Sequence, residues 1–99
     1  MKVAVASEGK EIDSNVSSMG GRAPYYLVFE GGNLIETIKN PFAVGGGGAG
    51  WSVAYMLADK GVNLVVSVKI GPKMEDALKE RGLDFKSFSG KVSDALKEV

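Results

Sequence analysis

The run Val62-Asn63-Leu64-Val65-Val66-Ser67-Val68 constrains the fold of this chain more than any other segment. It is almost continuously β-branched and apolar, so both faces of an extended segment built from it must be buried. Burial on both faces is typical of a parallel strand with helices packed above and below its sheet. The neighbouring segments agree. Residues 51–60 read as a helix in which Trp51, Ala54, Tyr55 and Ala58 form an apolar stripe that Val53, Met56 and Leu57 widen. Gly61 follows as the residue best able to adopt a left-handed C-cap. Gly71-Pro72 opens a second helix, with proline where its missing N–H costs nothing. Met74, Ala77, Leu78 and Arg81 lie along one side of it, and Gly82 ends it. Residues 83–88 read as a short strand, and Val92, Ala95, Leu96 and Val99 then have helical spacing.

The first half is built differently. Residues 2–7 alternate Val3 and Val5 with Ala4 and Ala6, which predicts a central strand buried on both faces. Residues 8–23 are small and polar without a period, and are expected to form a mobile loop. Pro24 then opens Tyr25-Tyr26-Leu27-Val28-Phe29-Glu30, Gly31-Gly32-Asn33 supplies a turn, and residues 34–39 return as a second strand. Tyr25 and Tyr26 point to opposite faces, so at least one of them packs. Strand, hairpin, helix, strand, helix, strand and helix make one α/β domain over residues 1–99. Right-handed crossovers turn this order into a mixed five-stranded sheet with about three helices on its faces.

Charge and composition exclude several function classes. Twelve basic residues balance twelve acidic ones, so no long-range field gathers a phosphate backbone, and nucleic acid is not an expected partner. Cysteine and histidine are both absent. Thiolate nucleophiles, imidazole bases and nearly all the usual ligands of zinc or iron–sulfur clusters are thereby removed. No carboxylate pair compensates, since Glu8 and Asp13 read as solvated charges of the polar loop, and the chain is expected not to be an enzyme. The start, Met1-Lys2-Val3-Ala4-Val5-Ala6, lacks the apolar run of a signal peptide, and no membrane-spanning stretch follows. A cytoplasmic location is the expectation.

In open α/β sheets, ligands collect beyond the carboxyl ends of the parallel strands. Three segments should meet there: Ser7-Glu8 leaving the first strand, Gly48-Ala49-Gly50 before the first long helix, and Gly71 before the second. Two helix N-termini favour an anion, and Arg22 at the end of the polar loop is its natural cationic partner. The plainer alternative is that these glycines punctuate turns and Arg22 is a surface charge. Two nucleotide motifs fail in the glycine-rich loop at residues 45–50. Gly45, Gly47 and Gly50 fit G-x-G-x-x-G, but the run follows a hairpin rather than the first strand of a βαβ unit, and no ribose-binding acid ends the next strand. The P-loop pattern fails because Trp51 stands where the phosphate-binding lysine must be.

The order of local motifs resembles the dinitrogenase iron–molybdenum cofactor biosynthesis family, small domains similar to NifX, NafY and the C-terminal part of NifB. The resemblance runs through M-K-V-A-V-A-S, G-R-A-P-Y-Y-L-V-F-E at positions 21–30, Asn40-Pro41, G-A-G at 48–50, G-V-N-L-V-V at 61–66 and the closing G-K-V-S-D-A-L. It implies a ribonuclease H-like sheet, although the first strand carries no acid of the ribonuclease H carboxylate cluster. It further implies a non-catalytic carrier of iron–molybdenum cofactor, an iron–sulfur precursor or a related small anion, with a cofactor-assembly protein as a second partner. The family motif H-F-G-R-A reads Met19-Gly20-Gly21-Arg22-Ala23 here. Gly21 and Arg22 are kept, while Met19 replaces the histidine suspected of ligating the cluster. A thioether is a soft but weak metal ligand, so Met19 is the one candidate metal-binding residue. The competing reading is a protein–protein interaction module that lost cluster binding with that histidine.

Overall fold

A computed structural model describes residues 1–44 and 49–99. Five strands form one sheet in the order β3-β2-β1-β4-β5: β1 (Lys2–Ser7), β2 (Tyr25–Glu30), β3 (Asn33–Lys39), β4 (Leu64–Ser67) and β5 (Asp84–Ser87). The β1–β2 and β2–β3 pairs are antiparallel, whereas β4 runs parallel to both β1 and β5. The expected mixed sheet, its order of elements and its three helices are therefore present. The helices are α1 (Ala49–Asp59), α2 (Pro72–Glu80) and α3 (Val92–Leu96). Gly61 and Gly82 take the left-handed conformations that end α1 and α2, with φ of 79° and 75°.

Strand alternation sorts the core into two layers. Ala4, Ala6, Tyr26, Val28 and Val65 share one face with Val53 and Leu57 of α1 and Met74 and Leu78 of α2. Val3, Val5, Leu27, Phe29 and Val66 share the other with Val92 and Ala95 of α3. The small alanines of β1 thus lie beneath the two long helices, and its valines meet the short one. This difference in side-chain volume lets α1 and α2 sit close to the sheet. Because α1 leads into β4 and α2 leaves it, both helices run back along the parallel strands and place their N-termini at the carboxyl end of β1 and β4.

The polar segment 8–23 is more firmly tied than a mobile loop would be. Val16 is buried against the α3 face, and its amide donates to Gly90 O at 2.7 Å. The Ser17 amide donates to Ala6 O at 2.8 Å, and Ser17 O accepts from the Val68 amide at 3.1 Å. Burying one valine contributes about 1.5–3 kcal/mol, comparable with the ~1–2 kcal/mol needed to order each residue beside it. Residues 10–13 are exposed. Mobility is accordingly expected at the loop tip alone. In amide hydrogen exchange, Val16 and Ser17 should exchange on the order of 100-fold more slowly than Ile12 and Asp13. Equal, fast exchange at all four would show that the whole loop opens.

Candidate functional site

Beyond the carboxyl ends of β1 and β4, the loop turns back over the sheet. Gly20 N donates to Lys69 O at 3.0 Å, Lys69 N donates to Ser18 O at 3.0 Å, and Met19 bridges to Lys69 in parallel. A single 3-10 turn, Gly20–Arg22, follows and is held from below by two buried side chains. Tyr26 is completely buried and its hydroxyl donates to Gly20 O at 2.6 Å. Burial pushes the Tyr26 phenol well above its ordinary pKa, so it stays a neutral donor. Asn40 Nδ2 donates to Gly21 O at 3.2 Å and to Ala23 O at 2.9 Å. Of the two tyrosines, Tyr26 is the one that packs in the core, and Tyr25 lies half-buried with Lys10 Nζ 5.7 Å from its ring centre.

This turn, the start of α1 and the start of α2 stack closely because glycines stand at the contacts. A β-carbon on Gly21 would lie 3.3 Å from Gly50 N, and one on Gly50 would lie 2.9 Å from Met74 Cβ and 3.1 Å from Met74 N. The 2.9 Å contact is closer than real β-carbons come and the other two are tight, so a larger residue at position 50 would drive the two helix N-termini apart. The reading of Gly48-Ala49-Gly50 as a turn before the helix needs correction here. Ala49 and Gly50 form the first residues of α1, which begins two residues before the expected Trp51. Gly45, Gly46, Gly47 and Gly48 lie outside the described residues.

The three segments enclose a cleft of about 360 Å³. Met19, Gly21 and Arg22 line one wall, and Ala49 and Gly50 line a second. Gly71, Pro72, Lys73 and Met74 complete it from α2. Gly71 is the extended N-cap of that helix, with φ of −67° and ψ of 161°. Six of the residues singled out in the sequence are thus brought together: Met19, Gly21, Arg22, Ala49, Gly50 and Gly71. Ser7 and Glu8 are not among the lining residues. Ser7 is fully buried, and its hydroxyl exchanges hydrogen bonds with the backbone of Gly9, at 2.6 Å to the carbonyl and 3.2 Å from the amide. Glu8 is exposed on the loop, with its amide donating to Asn15 O at 3.0 Å.

Sequence reasoning missed Lys73 and Asn40. Lys73 was legible in principle, as the cation two residues into a helix whose N-terminus faces the rim. Asn40 carried only the local signal of a turn, through the Phe42 amide, because the partners that tie it to the site lie 17 and 19 residues away.

The cleft has a one-signed lining. Arg22 and Lys73 line it and, among the described residues, no acidic one does, while the positive ends of two helix dipoles converge there. Arg22 is exposed, and one Nη donates to Phe42 O at 3.4 Å. Met19 is 42 % exposed at the mouth, and Met74 is buried at the floor. A larger open cleft of about 500 Å³ lies between Phe42 and the Tyr55–Met56 side of α1. Its charges are engaged in ion pairs, Lys60 with Glu36 at 2.7 Å and Asp59 with Arg81 at 3.8 Å, so it offers no comparable anion field. Among the described residues, no group of three or more histidine, cysteine, aspartate or glutamate side chains can hold a metal ion. No helix of the described residues is long and apolar enough to cross a membrane.

Comparison with known proteins places these features in a family. The model described as dinitrogenase iron-molybdenum cofactor matches residues 1–99, and the chain belongs to that family. An uncharacterized protein of Methanocaldococcus jannaschii is 29% identical over 103 residues, covering 98% of this chain and 87% of its own. The apo form of the orange protein from Desulfovibrio gigas superposes with a TM-score of 0.90 at 27% identity, over 98% of this chain and 84% of that one. A candidate NifB protein from Thermotoga gives a TM-score of 0.83 at 31% identity, over 97% of this chain and 84% of that one.

Proposed function

From membership of the dinitrogenase iron–molybdenum cofactor family, we propose that this chain is a non-catalytic binding or carrier protein. Its cargo is an iron–molybdenum or iron–sulfur type cofactor, or a related small anion, held in the cleft beside Arg22 and acting in the cytoplasm. The observation that carries the reading is the convergence of Arg22, Lys73 and two helix N-termini on one cleft that no acidic residue lines among the described ones.

The donor set decides how such a cargo is held. With no cysteine or histidine in the chain, neither thiolate nor imidazole is available to ligate a cluster. The residues fit an anion gripped from outside, by guanidinium and ammonium charge and by the amides of the first helical turns. Met19 adds at most one soft thioether contact at the mouth.

The test is an amide-resolved NMR titration with iron–molybdenum cofactor and, separately, with molybdate. Saturable shifts are expected at Met19, Gly21, Arg22, Ala49, Gly50, Gly71 and Lys73. Shifts confined to other parts of the chain would place the site elsewhere, and the absence of shifts would remove the carrier reading. The alternative reading, an interaction module without small ligand, draws on β3. This seven-residue edge strand exposes Leu34 and Ile35 at 44 % and 47 %. An unpaired strand edge with apolar side chains is a template for a partner strand. A silent titration together with a partner lost on Ile35→Lys would favour it.

A further inference from the structure

The turn that carries Arg22 is not stiff by itself. It is a single 3-10 turn with an exposed arginine, and a long side chain on such a support loses considerable freedom when it grips a ligand. The hydrogen bonds around it supply the missing rigidity. Asn40, 4 % exposed at the end of β3, donates through Nδ2 to Gly21 O at 3.2 Å and Ala23 O at 2.9 Å, the carbonyls on either side of Arg22. Asn40 Oδ1 accepts from the Phe42 amide at 3.0 Å. The carbonyl of the same Phe42 accepts from an Arg22 Nη at 3.4 Å. The bonds close a ring in which one buried amide side chain fixes both the backbone beneath Arg22 and the acceptor at its tip.

We infer that Asn40 is the positioning residue of the anion site, holding Arg22 in its ligand-gripping geometry. The inference rests on the carrier reading above. An asparagine at this place satisfies two carbonyls and one amide at once, which neither aspartate nor a hydroxyl side chain reproduces. Pre-set donors bind more tightly than donors that must first be ordered, so loss of Asn40 lowers affinity without removing any atom that touches the ligand.

A double-mutant cycle separates this role from plain structural support. Molybdate affinity is measured for the intact chain and for Arg22→Ala, Asn40→Ala and the pair, with thermal stability recorded for each. Val92→Ala, in the core on the opposite face of the sheet, serves as a control that lowers stability away from the cleft. Asn40→Ser, which keeps one donor, replaces Asn40→Ala where the latter does not fold. The expected result is about a tenfold loss on Asn40→Ala when Arg22 is present and under twofold when it is absent. Val92→Ala should leave affinity unchanged. Equal losses in both backgrounds, or an equal loss in Val92→Ala, overturn the inference while leaving the carrier reading standing. Failure of the intact chain to bind molybdate, or binding indifferent to Arg22→Ala, overturns the carrier reading and this inference together.

Discussion

Gly50→Ala is expected to lower the melting temperature by ~4–8 °C and to distort the cleft, although alanine is the better helix former. Two effects oppose each other at this position. Inside a helix, replacing glycine with alanine is worth up to ~1 kcal/mol in favour of the substitution. Here the added carbon would lie 2.9 Å from Met74 Cβ and 3.1 Å from its backbone nitrogen. The obstacle is the first turn of α2 rather than the end of a flexible side chain, so the helices must move. Overpacking of this kind costs about 1–3 kcal/mol, the backbone shifts it forces included. Set against the helix-propensity gain, the net loss is about 1 kcal/mol, which corresponds to the stated shift for a domain of this size. A calorimetric scan showing an unchanged or raised melting temperature would mean that α1 and α2 do not approach each other as described.

The second large effect is on binding. Reversing both cleft cations, in Arg22→Glu/Lys73→Glu, is expected to weaken anion binding roughly 100-fold with little change in folding. Both side chains are exposed, so each attraction to a ligand is screened and is worth ~0.2–1 kcal/mol by analogy with surface ion pairs. Reversal replaces attraction with repulsion and about doubles each effect. The total approaches 3 kcal/mol, which gives the 100-fold figure. Stability should stay close to that of the intact chain, because solvated charges outside the core contribute little to it.

How far the sequence reveals this arrangement depends on the range of the interaction concerned. Periodicity is local, so the buried run around Val65, the central β1 and the Gly31-Gly32 hairpin could all be read from a few neighbouring residues. The convergence of Ala49, Gly50 and Gly71 followed from one general rule about parallel strands, with Arg22 as the nearby cation, whereas Met19 and Gly21 entered through the family motif. The misreadings share a cause. Gly50 read as part of the turn before the helix because its reason for being glycine is Met74, 24 positions later. Ser7 and Glu8 leave the correct strand end but are turned aside by the Ser7–Gly9 and Glu8–Asn15 hydrogen bonds. The polar loop hid its anchors, since Val16 is a single apolar residue whose partners lie on β1 and α3. Asn40 belongs to the same class. Its role appears only once two distant carbonyls are seen on either side of Arg22.

The central claim is that a small anion is held in the cleft between the Gly20–Arg22 turn and the first turns of α1 and α2. Equilibrium dialysis against molybdate, at low and at physiological salt, tests it most directly when the intact chain and Arg22→Glu/Lys73→Glu are compared side by side. The predicted result is saturable one-to-one binding by the intact chain, weakened by salt and lost in the charge-reversed variant while that variant remains folded. Equal binding by the two proteins would contradict the claim, as would no binding by the intact chain.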